Sequence, residues 1–484
     1  MPPKIINLFI VFFILIVALA FRLPALSERP MHGDEAVNAV KFSQLLESGR
    51  FEYDPVEYHG PTLYYFTLPI SWISGKTSLK ELNEIILRIV PVFFGIGLIL
   101  LLFTLKPDFG WSMPLLAGSL TAVSPAFVFF SRYYIHEMLL VFFCYLFIFS
   151  CYRYIQNNKY MWILLSSSAL GLLISTKETW PLLLFSMLIS VAVIYLPFGD
   201  RRKELLGFVK TRNVKDILFF FLILTVTIVL FYTSFFTHPD GLEKSLSAFS
   251  IYIDRAGNSE AHIHPWYMYF KWLWYFGSSD GMFWSEGIIA FFAFFGIIGI
   301  LSKKYQTQNK IEFSYFILLF VLITTVIFSV IPYKTPWNLL TFWYGFILLA
   351  AIGIVYIYGL LRRRNYQITF FIISILAVVY LGWQSYHLNY QRYSDVSNPY
   401  VYAHPGTDVF KIRNKLEQIA SHHMDKHQLY IQIIASDSDY WPLPWYLRKF
   451  DRIGWWNNID DETASAPIII TQPEMVDNLI RKLY

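Results

Sequence analysis

The chain has 484 residues, of which 56% are hydrophobic, 19% aromatic and only 15% charged, with a net charge of +5 and a mean hydropathy of +0.45. A soluble protein of this size needs roughly 25% charged residues to cover its surface, so the composition excludes a soluble globular protein. The two cysteines, Cys144 and Cys151, share one apolar run and read as small hydrophobes, which excludes a disulfide framework or a zinc knuckle.

The apolar residues fall into runs of about 17–25, the length that crosses a bilayer core. The first, Ile5 to Leu23, is too long for a signal-peptide core and lacks a small-x-small cleavage site, so it reads as an uncleaved first span. Further spans are expected near 84–104, 112–130, 137–155, 160–175, 179–197, 216–236, 286–301, 312–331, 338–359 and 367–386, about eleven in all. Lys and Arg then set the sidedness. They crowd into alternate connections, notably Arg201, Arg202, Lys203, Lys210, Arg212 and Lys215, then Lys303, Lys304 and Lys310, then Arg362, Arg363 and Arg364. The opposite short connections hold only Arg132, Lys177 and Lys334. This bias places the N-terminus in the cytoplasm, and an odd span count puts the chain from 387 onward outside. The expected architecture is an all-α polytopic membrane domain, 1–386, followed by a small extracytoplasmic α/β domain, 387–484.

Three segments lie outside at length: 24–83, 237–285 and the tail. In the first, Val37, Val40 and Leu45 recur at helical spacing, and LYYFTLPISWI is amphipathic and aromatic like an interfacial helix. In the tail, DVFKIRNKLEQIAS and PEMVDNLIRKL read as helices, QLYIQIIAS and PIIIT as buried strands.

Ionisable groups at membrane depth are costly and mark functional sites by default. With the sidedness assigned, Asp34, Glu35, Glu57, His59, Arg132, His136, Glu137, Lys177, Glu178, His238, Asp240, His262, His264 and Lys334 all fall on the outer face. The inner connections are almost purely basic, whereas this set mixes acids, histidines and cations, as a reaction centre does. Plainer roles exist for each. Asp34 after Gly33 suits a helix N-cap. Arg132 and Lys177 suit snorkelling cations at span ends, with Glu137 and Glu178 their partners. His262 and His264, two apart, would fall on opposite sides of a strand.

An uncleaved first span followed by an outer loop that opens with Asp-Glu resembles the GT-C glycosyltransferases, in the branch of the protein O-mannosyltransferases and the lipid A aminoarabinose transferase. HGDEAVNAVKF, YDPVEYHGPTLYY, SPAFVFFSRYYIHEM, STKETW, YKTPWN, NPYVYAHPGTD and YWPLPWYLR together resemble, more narrowly, a family of flippase activity-associated proteins with a mannosyltransferase-like N-terminal half. The resemblance implies an inverting transfer from a polyprenyl-phosphate sugar to a glycan, lipid or protein acceptor at the outer face, with membrane lipids but no nucleic acid as further partners. It puts Asp34 in the catalytic acid's position, beside Glu35. His59 and Gly60 stand where relatives carry an acidic residue and a Lys, so the donor phosphate falls to Arg132, Lys177 or Lys334. A divalent metal ion would have His59, Glu137, His262 and His264 as its candidate ligands. The alternative is a non-enzymatic protein that binds lipid-linked glycan or assists a flippase.

Overall fold

The computed structural model describes residues 3–197, 199–203, 207, 212–258, 262–277, 282–302, 311–436, 439–460, 462 and 464–483. Of the basic residues that set the sidedness, Lys210, Lys303, Lys304 and Lys310 lie outside the described residues.

In chain order the main helices are α1 (Pro3–Arg22), α2 (Gly33–Ser48), α3 (Thr62–Ile73), α4 (Glu84–Leu101), α5 (Ser112–Val123), α6 (Pro125–Ser131), α7 (Glu137–Asn157), α8 (Tyr160–Ile174) and α9 (Trp180–Tyr195). There follow α10 (Val214–Tyr232), α11 (Asp240–Asn258), α12 (Gly287–Leu301), α13 (Ile311–Val330), α14 (Leu340–Leu360), α15 (Arg364–Tyr386), α16 (Asp408–His422) and α17 (Val476–Leu483). Among the described residues, seven helical segments, at α1, α4, α7, α10, α13, α14 and α15, are long and apolar enough to cross a membrane. The pair α5–α6 would make an eighth, bent by 64°. The expected spans 160–175, 179–197 and 286–301 coincide with α8, α9 and α12, apolar helices of 15, 16 and 15 residues. These are shorter than the ~20 residues that cross a bilayer core upright. Large apolar side chains of α1, α10 and α15, such as Phe9, Phe221 and Phe371, are exposed, as a lipid-facing surface requires. Inside the bundle, α12 and α14 cross at Gly296 and Gly353. A Cβ on Gly296 would lie 2.0 Å from the Leu349 carbonyl oxygen and one on Gly353 1.9 Å from that of Phe292, so only glycine permits this approach.

The bend between α5 and α6 leaves backbone groups without helical partners, and in an apolar bundle each must be satisfied by protein. Arg22, fully buried at the end of α1, donates to the carbonyls of Thr121 and Ala122, each at 2.9 Å. Ser385 donates to that of Val123 at 2.6 Å. On the other side of the bend, Glu286 accepts from the Ser124 hydroxyl (2.5 Å) and the Ala126 amide (2.7 Å), placing a carboxylate at the positive end of α6. A cation at one half-helix C-terminus and an anion at the next N-terminus thus hold the break open.

The connection between α1 and α4 is organised around Glu35. Its side chain is fully buried and accepts six hydrogen bonds. Arg29 supplies two at 2.9 and 3.0 Å, Arg88 two at 2.9 Å, and the amides of His32 and Tyr134 one each at 3.1 and 2.8 Å. Burial alone would raise the carboxyl's pKa; the fields and hydrogen bonds of Arg29 and Arg88 outweigh it and hold the group below the usual carboxylate range. Glu35 is therefore a structural anion, not the second catalytic acid expected from sequence. It also closes a capping box. The His32 amide donates to Glu35, and the Asp34 amide donates to His32 Nδ1 at 3.0 Å. The N-cap of α2 is therefore His32 and not Asp34.

In the tail, α16 packs on a parallel sheet, and α17 follows the last strand with its apolar side chains Val476, Ile480 and Leu483 exposed. The strands are β1 (Ile431–Ile434), β2 (Ile453–Trp456) and β3 (Ile468–Thr471), in the order β2-β1-β3. Strand β2, IGWW, falls outside the segments expected to be strands. The central β1 is buried throughout, whereas β3 is half-buried. The tail is tied to the bundle through Trp445, whose indole donates to Glu84 at 2.8 Å, and Tyr446, whose hydroxyl accepts from the Met31 amide at 2.7 Å.

Removing one member of a buried ion cluster strands the others. Glu35→Gln should therefore cost about 3–5 kcal/mol, read as a large loss of thermal-inactivation midpoint in detergent. Because the folded carboxyl lies below its unfolded value of about 4.3, this stabilisation is complete above that pH and is lost only as pH falls below it. A Glu35→Gln protein as stable as the parent would contradict the assignment.

Candidate functional site

With His32 serving as cap, the Asp34 carboxylate is released from the helix end it was expected to satisfy. Its side chain is 55% exposed, at the second position of α2, where the helix dipole favours negative charge. His32 Nδ1 lies 3.9 Å from it but is occupied as an acceptor, so the pair is not an ionic bond.

Asp34 lies where two cavities meet, and Tyr333 and Trp337 line both. The larger, about 690 Å³, is walled on one side by Ile135, Pro181, Leu182, Phe328 and Ile331, and on the other by Glu57, His59, His136, Glu137, Lys177 and Glu178. The smaller, about 380 Å³, lies under the tail, between His32 and His262 on one side and Tyr402, His404, Asp439 and Trp441 on the other.

The polar wall of the larger cavity is built from three turns. Lys177, after α8, forms an ion pair with Glu137 at the start of α7, and its Nζ is 3.4 Å from the Asn338 side-chain oxygen. His59 Nδ1 lies 2.7 Å from Glu178, which also accepts from the Tyr53 hydroxyl at 2.6 Å. Burial would raise the Glu178 carboxyl; His59 and the Tyr53 hydrogen bond more than offset this and keep it below its ordinary value. His136 is fully buried and contacts the Gly60 carbonyl through Nε2 at 2.9 Å. Burial, His59 and Lys177 all push its pKa well down. The neutral ring thus donates from Nε2, and its Nδ1 is an acceptor with no partner among the described residues.

Around the smaller cavity, His404 is likewise held neutral by burial and by the nearby Arg29 and His32. Arg29 can only donate, so His404 Nε2 accepts from it at 2.9 Å and Nδ1 donates to the Pro405 carbonyl at 2.9 Å. His262 and His264 do not diverge as an extended strand would have them. Both converge on the Tyr402 hydroxyl, at 2.7 and 2.9 Å, because His262 takes a left-handed backbone conformation (φ 61°).

The expected site residues therefore separate. Asp34, His59, Glu137 and Lys177 share the larger cavity, and His262 joins Asp34 at the smaller one. His264 is one hydroxyl away, on Tyr402. Arg132 lines neither cavity. Its guanidinium is spent on the carbonyls of Arg22, Pro24 and Ala25 and on the Tyr390 hydroxyl, and so caps the end of α1 rather than meeting a phosphate. Lys334 also lines neither; its Nζ donates to the carbonyls of His264 and Ile331. The expected metal ligands are engaged with Glu178, Lys177 and Tyr402, and among the described residues no three His, Cys, Asp or Glu side chains come together to hold an ion. Tyr402, His404, Asp439 and Trp441 were not singled out individually, although three of them sit in the strings NPYVYAHPGTD and YWPLPWYLR; nothing local tells which of their side chains reach a cavity some 400 residues away in sequence.

Comparison with known proteins agrees with this architecture. A family model described as dolichyl-phosphate-mannose-protein mannosyltransferase matches residues 62–239. No curated protein sequence matches the chain. Among solved structures, ArnT from Cupriavidus metallidurans bound to undecaprenyl phosphate is similar at a TM-score of 0.60 and 13% identity, over 92% of this chain and 85% of that one. The apo state of the same protein is similar at 0.60 and 14% identity, over 97% and 94%. The apo oligosaccharyltransferase of Archaeoglobus fulgidus is similar at 0.58 and 13% identity, over 93% of this chain and 64% of its own length. The chain is a multi-pass membrane protein with the fold of the GT-C superfamily of glycosyltransferases.

Proposed function

We propose that the protein is an inverting glycosyltransferase that moves a sugar from a polyprenyl-phosphate donor to an acceptor at the outer face of the cell membrane. The observation that carries this reading is the position of Asp34: a half-exposed carboxylate at the junction of two cavities of different character. The larger has an apolar wall suited to the first isoprene units and an ammonium, Lys177, suited to phosphate. The smaller, with indole and imidazole surfaces and the Asp439 carboxylate, suits a polar acceptor. One relative in fold was captured with undecaprenyl phosphate, and the Archaeoglobus fulgidus protein with a dolichol-phosphate and an inhibitory peptide.

In this reading Asp34 accepts the acceptor's proton as its nucleophilic atom attacks the anomeric carbon. The bond to the phosphate oxygen breaks on the opposite face, so configuration inverts. Lys177 meets the charge that grows on the departing phosphate. The N-terminus is cytoplasmic and the tail, as a small extracytoplasmic α/β domain, roofs the acceptor side.

Asp34→Asn preserves size and the α2 cap while removing the base. It should lower transfer by about 10²–10⁴-fold with membrane level and polyprenyl-phosphate binding retained. Undiminished transfer by this variant would remove Asp34 from the base role. Normal lipid binding by a wild-type protein that transfers no sugar would favour the glycan-binding, flippase-accessory reading instead.

A further inference from the structure

The smaller cavity is electrostatically one-sided. Among its described lining residues are two carboxylates, Asp34 and Asp439, and four aromatic side chains, Tyr333, Trp337, Tyr402 and Trp441, but no Lys or Arg. The imidazoles bring no positive charge. His32 accepts the Asp34 amide at Nδ1, which a protonated ring could not do. Burial holds His262 below its ordinary pKa despite the pull of Asp34, and pushes His404 well down. Arg29 meets this wall at His404 and is otherwise spent on Glu35 and the Arg132 carbonyl. Lys334 is spent on the carbonyls of His264 and Ile331.

This composition selects among acceptors by charge. A phosphate or carboxylate would face two carboxylates with no lining cation to offset them, and the repulsion grows as water is displaced. An ammonium would draw Asp34 into an ion pair and so occupy the carboxylate that the transfer step needs as its base. An uncharged sugar meets neither obstacle. Its hydroxyls donate to carboxylates, and the C–H face of its ring packs on an aromatic face. The surfaces are placed for this. Asp439 is exposed, and one of its carboxylate oxygens accepts from Gln472 at 3.0 Å, which ties it to the end of β3. Trp441 is half-buried and stands over the start of α2: a Cβ on Gly33 would lie 3.7 Å from its own, one residue before Asp34. The cavity, about 380 Å³, is at the lower end of the range for small-molecule sites.

Resting on the transferase reading above, we infer that the acceptor is an uncharged sugar, its ring packed on the Trp441 indole and its hydroxyls donating to Asp439 and, at the reacting position, to Asp34. The reacting hydroxyl gives its proton to Asp34 as its oxygen bonds the donor's anomeric carbon, and the phosphate leaves with the electrons of the broken bond. The tail supplies Asp439 and Trp441 and so chooses the acceptor, whereas the bundle supplies the base.

The test uses the full-length protein in nanodiscs and ligand-observed NMR. The probes are the methyl glycosides of glucose, galactose and mannose, the matching uronates and amino sugars, and a neutral peptide rich in serine and threonine. At least one neutral glycoside should bind, and more tightly than its uronate or amino counterpart. Asp439→Ala should weaken it about 10- to 100-fold, the range for a hydrogen bond to a charged group. Trp441→Ala should weaken it comparably, whereas Trp441→Phe, which keeps a flat aromatic face, should retain most of the affinity. Binding of undecaprenyl phosphate, measured in parallel, should be unchanged by these substitutions, because neither residue lines the larger cavity. Preference for a uronate, an amino sugar or the peptide overturns the inference, as does the absence of glycoside binding or binding indifferent to Asp439→Ala and Trp441→Ala. If wild type binds undecaprenyl phosphate in any of those cases, the donor reading stands; if it binds neither lipid nor glycoside, both fall.

Discussion

A buried carboxylate sets the geometry on which the rest of the site depends. Glu35 has no access to water, so its charge persists only because Arg29, Arg88 and two backbone amides surround it. The partners come from different places: Arg29 from the loop after α1, Arg88 from α4 and the Tyr134 amide from the turn before α7. One anion thus gathers the end of the first span, the start of α2 and two bundle helices. Its arginines extend the web: Arg29 also reaches the Arg132 carbonyl (2.7 Å) and His404 of the tail, and Arg88 the carbonyls of Leu26, Arg29 and Pro30. A fixed Glu35 leaves its neighbour on α2 little choice of place, and Asp34 is carried to the junction of the two cavities.

Two further devices keep that junction open. The α5–α6 break, satisfied by Arg22 and Glu286, ends α6 at Ser131, just before the Arg132–Glu137 turn that walls the larger cavity. Glu286 also accepts from the Tyr400 hydroxyl at 2.5 Å, and thereby ties the broken span to the segment carrying Tyr402 and His404. The charged groups nearest the membrane therefore divide by task. Arg22, Arg29, Arg88, Arg132, Glu35 and Glu286 are consumed in holding backbone together, whereas Asp34, His59, Lys177 and Asp439 border open space. In a low-dielectric setting the first task is as demanding as the second, because an unsatisfied carbonyl or charge there costs several kcal/mol.

The sequence is informative wherever the physics is local. Membrane-length apolar runs, the helical spacing of Val37 and Val40 and the alternation of basic connections each express a constraint acting within about 20 residues. The one-sided gathering of acids, histidines and cations follows from them, and the structure does bring Asp34, His59, Glu137 and Lys177 to one cavity. The misreadings have equally physical causes. Asp after Gly is a favoured N-cap, yet His32 stands three residues before Glu35, and that capping-box spacing was present in the chain. Arg132 at a span end looks like a phosphate clamp until the carbonyls at the end of α1, about 110 residues earlier in the chain, are found to need it. Glu35 and Arg88, 53 residues apart, form a pair that no local pattern announces. Long-range satisfaction of buried polar groups decided the roles of Arg132, Glu35 and Arg88.

The central claim is spatial: donor phosphate in the larger cavity, acceptor in the smaller, Asp34 between them. An experimental structure of the full-length protein with undecaprenyl phosphate bound tests it most directly. The account predicts the phosphate in the larger cavity, within hydrogen-bond distance of Lys177, with the lipid chain along Leu182, Phe328 and Ile331. A phosphate in the smaller cavity, or away from both, would contradict it.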